Sequence, residues 1–346
     1  MKKAIFIICT LLSAVQGFAC TTAIVSAEAS GTGRPLLWKQ RDTDNPFNTV
    51  YYIAATDSTL AYTALFNVSD TRLRSVYAGA NEKGFAIINN LSYNLASGEY
   101  DAQNGSLMRR ALESCTTVDE FEAFLLAENP RTCEANFGVI DASGAAAYIE
   151  AADSTVTRFD VPKGGWLVRS NYSYSGKPDG PAGYARHENA YRLMSRHKGK
   201  FTPHFLIDKM GRSFYNAVLG YDASRRFRKG RAYDEDFIAR PSSVSSICFD
   251  GTEVMWAAAG YTPACYAMPL KVCAPLPSCI TEANALADSL KHVMHPLPRD
   301  AAKKYIDFSI ARPIMKTVRR YEKKAAALVG KNEDLDELFE QFKKEF

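Results

Sequence analysis

The chain has 346 residues, of which 47% are hydrophobic and 23% are charged, the balance of an ordinary globular protein. This composition excludes a disordered tail, a fibre or a low-complexity scaffold, and the length is sufficient to bury a large core. The 42 basic and 38 acidic residues give a net charge of +4, which is too balanced to indicate a nucleic acid partner.

Residues 1–19 predict a secretory signal peptide that is not part of the fold. Lys2 and Lys3 form a short basic start, residues 4–15 are mostly apolar, and Gly17-Phe18-Ala19 supplies small residues at the −3 and −1 positions of a cleavage site. No later stretch reaches the ~18 apolar residues that span a bilayer. We therefore expect an exported protein, periplasmic or secreted, whose mature chain begins at Cys20.

A chain that begins at Cys20 has three interpretations. The cysteine could carry lipid, as in a bacterial lipoprotein, although such signals have Leu, Ile or Val at −3 where this chain has Gly17. It could also be a disulfide partner near the terminus. The third interpretation is a catalytic nucleophile, because an α-amine (pKa ~7.7–8.0) and a thiol (pKa ~8.5) on one residue exchange a proton readily near neutral pH. The amine then serves as base and acid, and no histidine is required.

The first predicted element of the mature chain is a β-hairpin. Residues 21–26 and 35–39 are β-prone, and residues 28–33 between them are turn-like. A second hairpin is predicted around the turn Asp141-Ala142-Ser143-Gly144. Further β-prone runs cover residues 49–54, 76–80, 85–91, 136–140, 145–151, 165–171, 244–249 and 253–258.

Helices are indicated by their end signals. Thr117 to Glu120 forms a capping box, Thr202-Pro203 begins a helix that Gly211 ends, and residues 281–295 run until a proline. At the C-terminus an apolar stripe at helical spacing should pack on the body or on a second subunit, which makes a homo-oligomer possible; its members are Leu335, Leu338, Phe339, Phe342 and Phe346. We expect one domain over residues 20–346, with a C-terminal helical extension from about residue 281.

Two runs near the predicted N-terminus are familiar: CTTAIV at residues 20–25 and GRPLLWKQRDTD at residues 33–44. They resemble the start of the linear amide hydrolases of the N-terminal nucleophile (Ntn) superfamily. These include choloylglycine hydrolases, penicillin V acylases and related acyltransferases such as acyl-CoA:6-aminopenicillanic acid acyltransferase. The resemblance implies an α+β fold of four layers, αββα, with two mainly antiparallel sheets between helical layers.

The resemblance also implies roles for residues at the two ends of the first hairpin. Cys20 matches the nucleophile, and Arg41 and Asp44 match the Arg-x-x-Asp element that ends the second strand. A cation near a thiol favours the thiolate, which is the role expected of Arg41. A carboxylate near the α-amine would orient it through a charge-assisted hydrogen bond, and Asp44 is the expected partner, with Asp42 as the alternative.

Two later segments resemble strands of the family that end at residues stabilising the oxyanion. Residues 81–90 lead through a glycine turn to Asn90, with Asn89 as the alternative register, and residues 165–171 end at Asn171. An asparagine amide can donate to a tetrahedral oxyanion, and loss of one such donor typically costs ~10²–10³ in rate. Asn171 and Asn90 are therefore the predicted oxyanion residues.

The chain departs from choloylglycine hydrolases at one position. That family carries an arginine after a Ser-Ser-x-Ser run, whereas here the run at residues 242–245 is followed by Ser246, and the nearest arginine, Arg240, precedes it.

The cysteines fit an exported protein. Six remain after Cys9 and Cys20 are set aside, enough for three disulfides. Cys273 with Cys279 is the expected local bridge, with Cys115–Cys133 and Cys248–Cys265 as further pairs; buried free thiols are the alternative.

The resulting hypothesis is an exported amidohydrolase that cleaves linear amides through a thioester on Cys20. Its substrate would be a small-molecule amide such as an acyl-amino acid, a bile-salt conjugate or a dipeptide. An acyltransferase with the same residues and a lipid-anchored, non-catalytic binding protein are the alternatives. The sequence has no GxGxxG, P-loop or CxxC motif, so no nucleotide, phosphate or zinc site is indicated, and no cofactor or metal is expected.

Overall fold

The computed structural model describes residues 19–95, 103–129, 131–178, 183–227, 231–233, 236–296 and 305–346. Apart from Ala19, the predicted signal peptide lies outside these ranges. The strands are β1 Ala19–Val25, β2 Leu36–Asp42, β3 Asn48–Ile53, β4 Tyr62–Asn67, β5 Ala78–Asn81, β6 Ala86–Leu91, β7 Glu134–Ile140, β8 Ala146–Ala152, β9 Val156–Asp160, β10 Trp166–Arg169, β11 Tyr215–Asn216, β12 Tyr221–Asp222, β13 Arg231–Tyr233, β14 Ser243–Phe249, β15 Val254–Ala258, β16 Met268–Lys271 and β17 Tyr305–Asp307.

The helices occupy the segments between and after the strands. They are α1 Asn104–Ser114, α2 Val118–Ala127, α3 Tyr184–Arg196, α4 Ala223–Arg226, α5 Ile280–Met294, α6 Phe308–Ala326 and α7 Asn332–Lys343, with a π-helical segment over Phe205–Gly211 and a short 3₁₀ turn over Thr262–Ala264. None of the helices in the described ranges is long and apolar enough to cross a bilayer.

Two antiparallel sheets face each other. One has the strand order β10-β1-β2-β14-β15-β16, and the other runs β3-β4-β5-β6-β7-β8-β9. Strands β1 and β2 contact β6 and β7 across the interface, α1 and α2 cover the outer face of the seven-stranded sheet, and α3, α6 and the π-helical segment cover the six-stranded sheet. This arrangement confirms the predicted α+β fold with two sheets between helical layers.

Close packing between the two sheets explains why residue 138 is a glycine. A Cβ atom on Gly138 of β7 would lie 2.9 Å from Ile88 Cγ1 and 3.2 Å from Ile24 Cδ1, closer than ordinary van der Waals contact. Since Ile24 lies on β1 and Ile88 on β6, the missing side chain lets the two sheets approach at the strand that carries Cys20.

Several local predictions are confirmed. The hairpin β1–β2 and the hairpin β7–β8 form as expected, and the Thr117 hydroxyl accepts from the Glu120 N–H at the start of α2. The segment after Thr202 is mainly π-helical, where an ordinary helix was expected. On α7, the side chains buried within the chain are Leu335, Leu338, Phe339 and Phe342. Of the two predicted alternatives, this part of the stripe packs on the body of the protein.

The predicted disulfides are wrong. All seven cysteines that the structure describes are free thiols. Cys273 Sγ contacts Ala61 O at 3.3 Å, whereas Cys279 Sγ lies 3.9 Å from Met268 Sδ and from Leu335 O. The two side chains therefore pack into different surroundings despite their short separation in sequence.

Candidate active site

Cys20 lies on β1 directly opposite Arg41 of β2, and Thr22 lies opposite Lys39. Because side chains alternate along a strand, these four residues share one face of the sheet, the face that contacts β6 across the interface. Cys20 is buried, with 6% of its surface exposed. The hairpin thus places the thiol between the two sheets with two basic side chains beside it.

Asn171 and Arg186 hold the main chain of Cys20. Asn171 Oδ1 accepts from the Cys20 nitrogen at 2.8 Å and from Arg186 Nη2 at 2.8 Å. Arg186 Nη1 donates to Cys20 O at 2.5 Å and to the Thr21 hydroxyl at 3.1 Å. Both side chains are buried, so the position of the Cys20 nitrogen is fixed by a closed hydrogen-bonded ring.

The segment that carries Asn171 is itself held by residues of the seven-stranded sheet. Asn171 Nδ2 donates to Leu91 O at 2.8 Å, and Asn136 Nδ2 donates to the carbonyls of Ser170 and Tyr172. The next turn is tied to Glu150, which also forms a fully buried ion pair with Arg169 at 2.7 Å.

Glu150 continues this anchoring through main-chain groups. Its carboxylate accepts from the N–H groups of Tyr174 and Ser175 and from the Ser175 hydroxyl. Residues 173–175 are therefore held next to Asn171; residues 179–182 lie outside the described ranges.

Arg41 is positioned by an aromatic ring and one amide. Its guanidinium lies 3.7 Å from the centroid of Tyr77, and Nη1 donates to Asn48 Oδ1. Nη2 is buried and has no hydrogen-bond partner among the described residues. Burial lowers the pKa of Arg41, and its interactions with Tyr77 and Cys20 oppose this shift. Arg41 therefore lies beside Cys20, as predicted.

Lys39 is a buried cation that the sequence analysis missed. Its Nζ donates to Asn89 Oδ1 at 2.7 Å and to Tyr77 O at 2.9 Å. Burial lowers the pKa of Lys39 to about 8, the Arg41 charge adds to this shift, and Cys20 opposes it. The signal was present in the sequence, since Lys39 lies two residues before Arg41 and so shares its face of the strand.

Asn90 is buried on the inner face of β6. Its Oδ1 accepts from the Thr22 hydroxyl at 2.6 Å, and that hydroxyl in turn accepts from Tyr148 Oη at 2.7 Å. Asn90 Nδ2 is buried with no hydrogen-bond partner among the described residues. Thr22 is two residues from Cys20 on the same face of β1, so Asn90 belongs to the site.

Asp44 is not brought to Cys20. It is exposed in the turn after β2 and accepts only from the Thr43 hydroxyl, at 3.2 Å, among the described residues. Strand β2 ends at Asp42, so the spacing carries Asp44 past the paired part of the hairpin. The nitrogen of Cys20 is held by Asn171 instead, whose predicted role was to bind the oxyanion.

Asp42 and Ser246 lie on the face of the six-stranded sheet opposite to that of Cys20 and Arg41. Asp42 alternates with Arg41 and accepts from the Ser243 hydroxyl at 2.8 Å; burial raises the pKa of Asp42 to about 6 against the opposing charges of Arg240 and Arg186. The Ser246 hydroxyl accepts from Trp38 Nε1 at 2.9 Å. The arginine that contacts Cys20 in this chain comes from α3, as Arg186.

Tyr93 borders the site on its exposed side. Its side chain is 40% exposed, and burial of its hydroxyl together with the nearby Cys20 thiol raises the pKa of Tyr93 to about 12. Its main-chain N–H donates to Asn171 O at 3.0 Å, which holds Tyr93 next to the segment that positions Cys20.

These contacts define what the arrangement can do. A buried thiol lies among three cations, Lys39, Arg41 and Arg186, whose pKa values all respond to its charge. Arg41 Nη2 and Asn90 Nδ2 are buried donors that lack an acceptor among the described residues, which is unusual in a native structure and is expected where a ligand oxygen binds. In the part of the chain that the structure describes, no three His, Cys, Asp or Glu side chains converge as a metal site.

Comparisons with known proteins agree with the resemblance. The sequence model of the acyl-coenzyme A:6-aminopenicillanic acid acyl-transferase family matches residues 34–176, a segment that contains Arg41, Asn90 and Asn171. This match confirms the resemblance on which the site was predicted. The comparison with curated proteins gives no match.

Solved structures with a similar fold include three hydrolases. The Caenorhabditis elegans ortholog of N-acylethanolamine-hydrolyzing acid amidase has 14% identity and a TM-score of 0.45, covering 67% of this chain and 93% of that one. A mutant of conjugated bile acid hydrolase from Clostridium perfringens has 12% identity and a TM-score of 0.41, covering 73% and 92%. Penicillin V acylase from Agrobacterium tumefaciens has 12% identity and a TM-score of 0.41, covering 73% and 86%.

Proposed function

We propose that this chain, exported and cut after Ala19, is an amidohydrolase that cleaves linear amides with Cys20 as its N-terminal nucleophile. The observation that carries the proposal is the 2.8 Å contact between the Cys20 nitrogen and Asn171 Oδ1, beside a buried thiol. After cleavage this nitrogen becomes a free α-amine. Asn171 Oδ1 would then hold the amine with one lone pair facing the thiol of the same residue, the geometry that general base catalysis requires.

The first step forms the acyl-enzyme. The α-amine takes the thiol proton, the Cys20 sulfur attacks the amide carbon, and a C–S bond forms as the carbonyl electrons move to oxygen. Asn90 Nδ2 and Arg41 Nη2 are the unpaired donors that stabilise this oxyanion. The C–N bond then breaks, and the departing amine takes the proton from the α-ammonium, which leaves a thioester on Cys20.

The second step returns the enzyme. The α-amine takes a proton from water, the hydroxide attacks the thioester carbon, and the same two donors stabilise the second tetrahedral intermediate. The C–S bond breaks, a carboxylic acid leaves, and the thiolate regains its proton from the α-ammonium. Lys39 and Arg41 provide the positive charge that stabilises the thiolate in both steps.

Acyl transfer is a second candidate because the matching family is described as an acyl-transferase. The same residues would form the same thioester, and an amine would take the acyl group in place of water. Adding hydroxylamine to the assay distinguishes the two. A hydrolase gives mainly free acid at moderate hydroxylamine concentration, whereas a transferase gives mainly the hydroxamate.

The first experiment is mass spectrometry of the N-terminus of the exported protein. We expect an unmodified chain that begins at Cys20. A diacylglyceryl adduct on Cys20 would support the lipid-anchored binding protein, and a chain that begins elsewhere would contradict the enzyme.

The second experiment compares Cys20→Ala with a matched control, Cys273→Ser, whose free thiol lies away from the site. Both are assayed on acyl-amino acids, bile-salt conjugates, dipeptides and penicillin V. We expect Cys20→Ala to lose hydrolysis of whichever amide the wild type cleaves, and Cys273→Ser to retain it. Equal activity in wild type and Cys20→Ala would refute the proposed nucleophile.

A further inference from the structure

A large cavity lies in the helical layer outside the six-stranded sheet. Its volume is about 1070 Å³, and it is bordered by α3, α4, α6 and the π-helical segment. The Cys20 side chain points to the opposite face of the same sheet, into the interface with β6. The cavity is therefore separate from the candidate active site.

The wall of this cavity is strongly basic. Eight arginine and lysine residues line it, against two aspartates, which gives a local charge of +6. Because the whole chain carries +4, everything outside the cavity carries −2. The entire positive surplus of the protein is thus concentrated on one concave surface, where field lines are focused and anions are attracted.

Helix α6 supplies a basic stripe to this wall. Arg312, Lys316 and Arg319 follow one another at spacings of four and three residues, so they lie on one face of the helix. Arg225 and Arg226 of α4 border the cavity as well. Like charges placed this way repel one another in the absence of a counter-charge.

Carboxylates pair with four of the eight lining cations, and one of these, Arg212, also pairs with the buried Glu322 at 3.1 Å. Asp208 is buried and already pairs with Arg212 at 3.2 Å, Arg319 at 2.6 Å and Lys209 at 2.8 Å. Asp222 lies 3.5 Å from Arg225. Four further lining cations form no ion pair with any residue that the structure describes, although Arg312 donates to the Ser224 carbonyl: Arg196, Arg226, Arg312 and Lys316.

Aromatic side chains form part of the same wall. The guanidinium groups of Arg196 and Arg226 lie 5.4 Å from the ring centroids of Tyr215 and Tyr221, and Arg196 Nη1 also donates to the Tyr215 hydroxyl at 3.0 Å. These contacts orient the two guanidinium groups at the cavity wall. The wall therefore offers oriented donors as well as diffuse charge.

We propose that this cavity binds a multiply charged anion, a small molecule that carries two or more phosphate, sulfate or carboxylate groups. The unpaired cations lie on separate walls, so a ligand with one charge leaves most of them uncompensated. The volume suits a molecule of ordinary ligand size. No sequence motif marks the site because its cations come from four segments of the chain that are far apart in sequence: α3, the π-helical segment with Arg212, α4 and α6.

The test is calorimetric titration of the purified protein with three probes: tripolyphosphate, a sulfated disaccharide and citrate. We expect saturable binding of at least one probe that weakens as NaCl is raised. The double variant Arg225→Gln/Lys316→Gln, at two exposed lining positions, should weaken that binding at least tenfold, and Lys316→Gln alone at least threefold. Hydrolysis at Cys20 should be unchanged in both variants.

The control is Lys331→Gln/Lys344→Gln, which removes the same charge at exposed positions away from the cavity. It should keep the affinity within twofold. The proposal is overturned if none of the three probes binds saturably, or if the control weakens binding as much as the cavity variant does. Unfolding temperatures of all variants, measured without probe, separate loss of binding from loss of the fold.

Discussion

Replacing Lys39 with methionine should raise the stability of the protein at neutral pH and lower its activity. Methionine keeps the length of the aliphatic stem and removes a charge that is 2% exposed. Opposite changes in the two properties are the mark of a residue retained for function, since a structural lysine would lower both when removed.

The expected gain in stability follows from the site. Burial lowers the pKa of Lys39 from 10.5 to about 8, which corresponds to about 3 kcal/mol against the charged form in the folded protein. Removing Lys39 leaves Asn89 Oδ1 and Tyr77 O without this donor, at about 1 kcal/mol each. The cost of the buried charge exceeds the cost of losing the two hydrogen bonds, so the free energy of unfolding of Lys39→Met should be about 1 kcal/mol higher than that of the wild type at pH 7.

The lowered pKa of Lys39 also determines how the stability difference between the wild type and Lys39→Met changes with pH. Below about pH 8 the folded and unfolded states both hold the Lys39 proton, and the full cost of the buried charge is present. Between about pH 8 and 10.5 the folded state releases the proton first, so the wild type becomes more stable as pH rises. The advantage of Lys39→Met should therefore shrink between pH 7 and pH 9.5.

Urea unfolding at both pH values, with hydrolysis measured on the best amide of the panel, checks these expectations. Activity should fall about 10²-fold, as expected when a cation beside developing negative charge is removed. Lys83→Met, at an exposed position, should change stability by less than about 0.5 kcal/mol. Three results would contradict these expectations: a free energy of unfolding for Lys39→Met more than about 2 kcal/mol below that of the wild type at pH 7, the same difference in stability at pH 7 and pH 9.5, or full activity in the variant.

Three further substitutions separate the roles of the site residues. Asn171→Ala should lower kcat ~10²–10³-fold and destabilise the fold by about 1–3 kcal/mol, measured by kinetics and urea unfolding, because the Cys20 nitrogen and Arg186 lose their shared acceptor. Asn90→Ala should lower kcat ~10²–10³-fold with little change in KM, and a purely raised KM would argue against an oxyanion role. Asp44→Asn should keep kcat within twofold of the wild type, and a hundredfold loss would instead support Asp44 as the partner of the α-amine.

The parts of the site that could be predicted are those fixed by short-range order. The Cys20–Arg41 pairing follows from a hairpin whose strands and turn are contiguous in sequence, so the register is set by local chemistry. The fold class was implied by the family resemblance, and the β-prone runs in the middle of the chain are compatible with it. Lys39 was within reach of the same reasoning, because strand alternation puts it on the face of Arg41.

The remaining contacts depend on pairing between distant segments. Arg186 is separated from Cys20 by 166 residues and reaches it only because α3 packs on β1. The replacement of Asp44 by Asn171 as the partner of the Cys20 nitrogen has the same origin. Strand length decides that Asp44 falls beyond the hairpin, and the neighbour relation of β1 and β10 decides that Asn171 arrives at the Cys20 nitrogen. Spacing within one motif carries no information about either.

The charge balance of the site bears on its chemistry. Lys39, Arg41 and Arg186 are all buried and all have their pKa lowered by burial, so the resting site stores unfavourable positive charge. Asp42, on the other face of β2, opposes this effect at all three cations, but burial has the larger influence and their pKa values stay lowered. A thiolate and a tetrahedral oxyanion would each add one negative charge where the positive charge is concentrated. The interactions that destabilise the resting fold therefore become favourable as the reaction proceeds, which is the condition for lowering a barrier and not merely for tightening substrate binding.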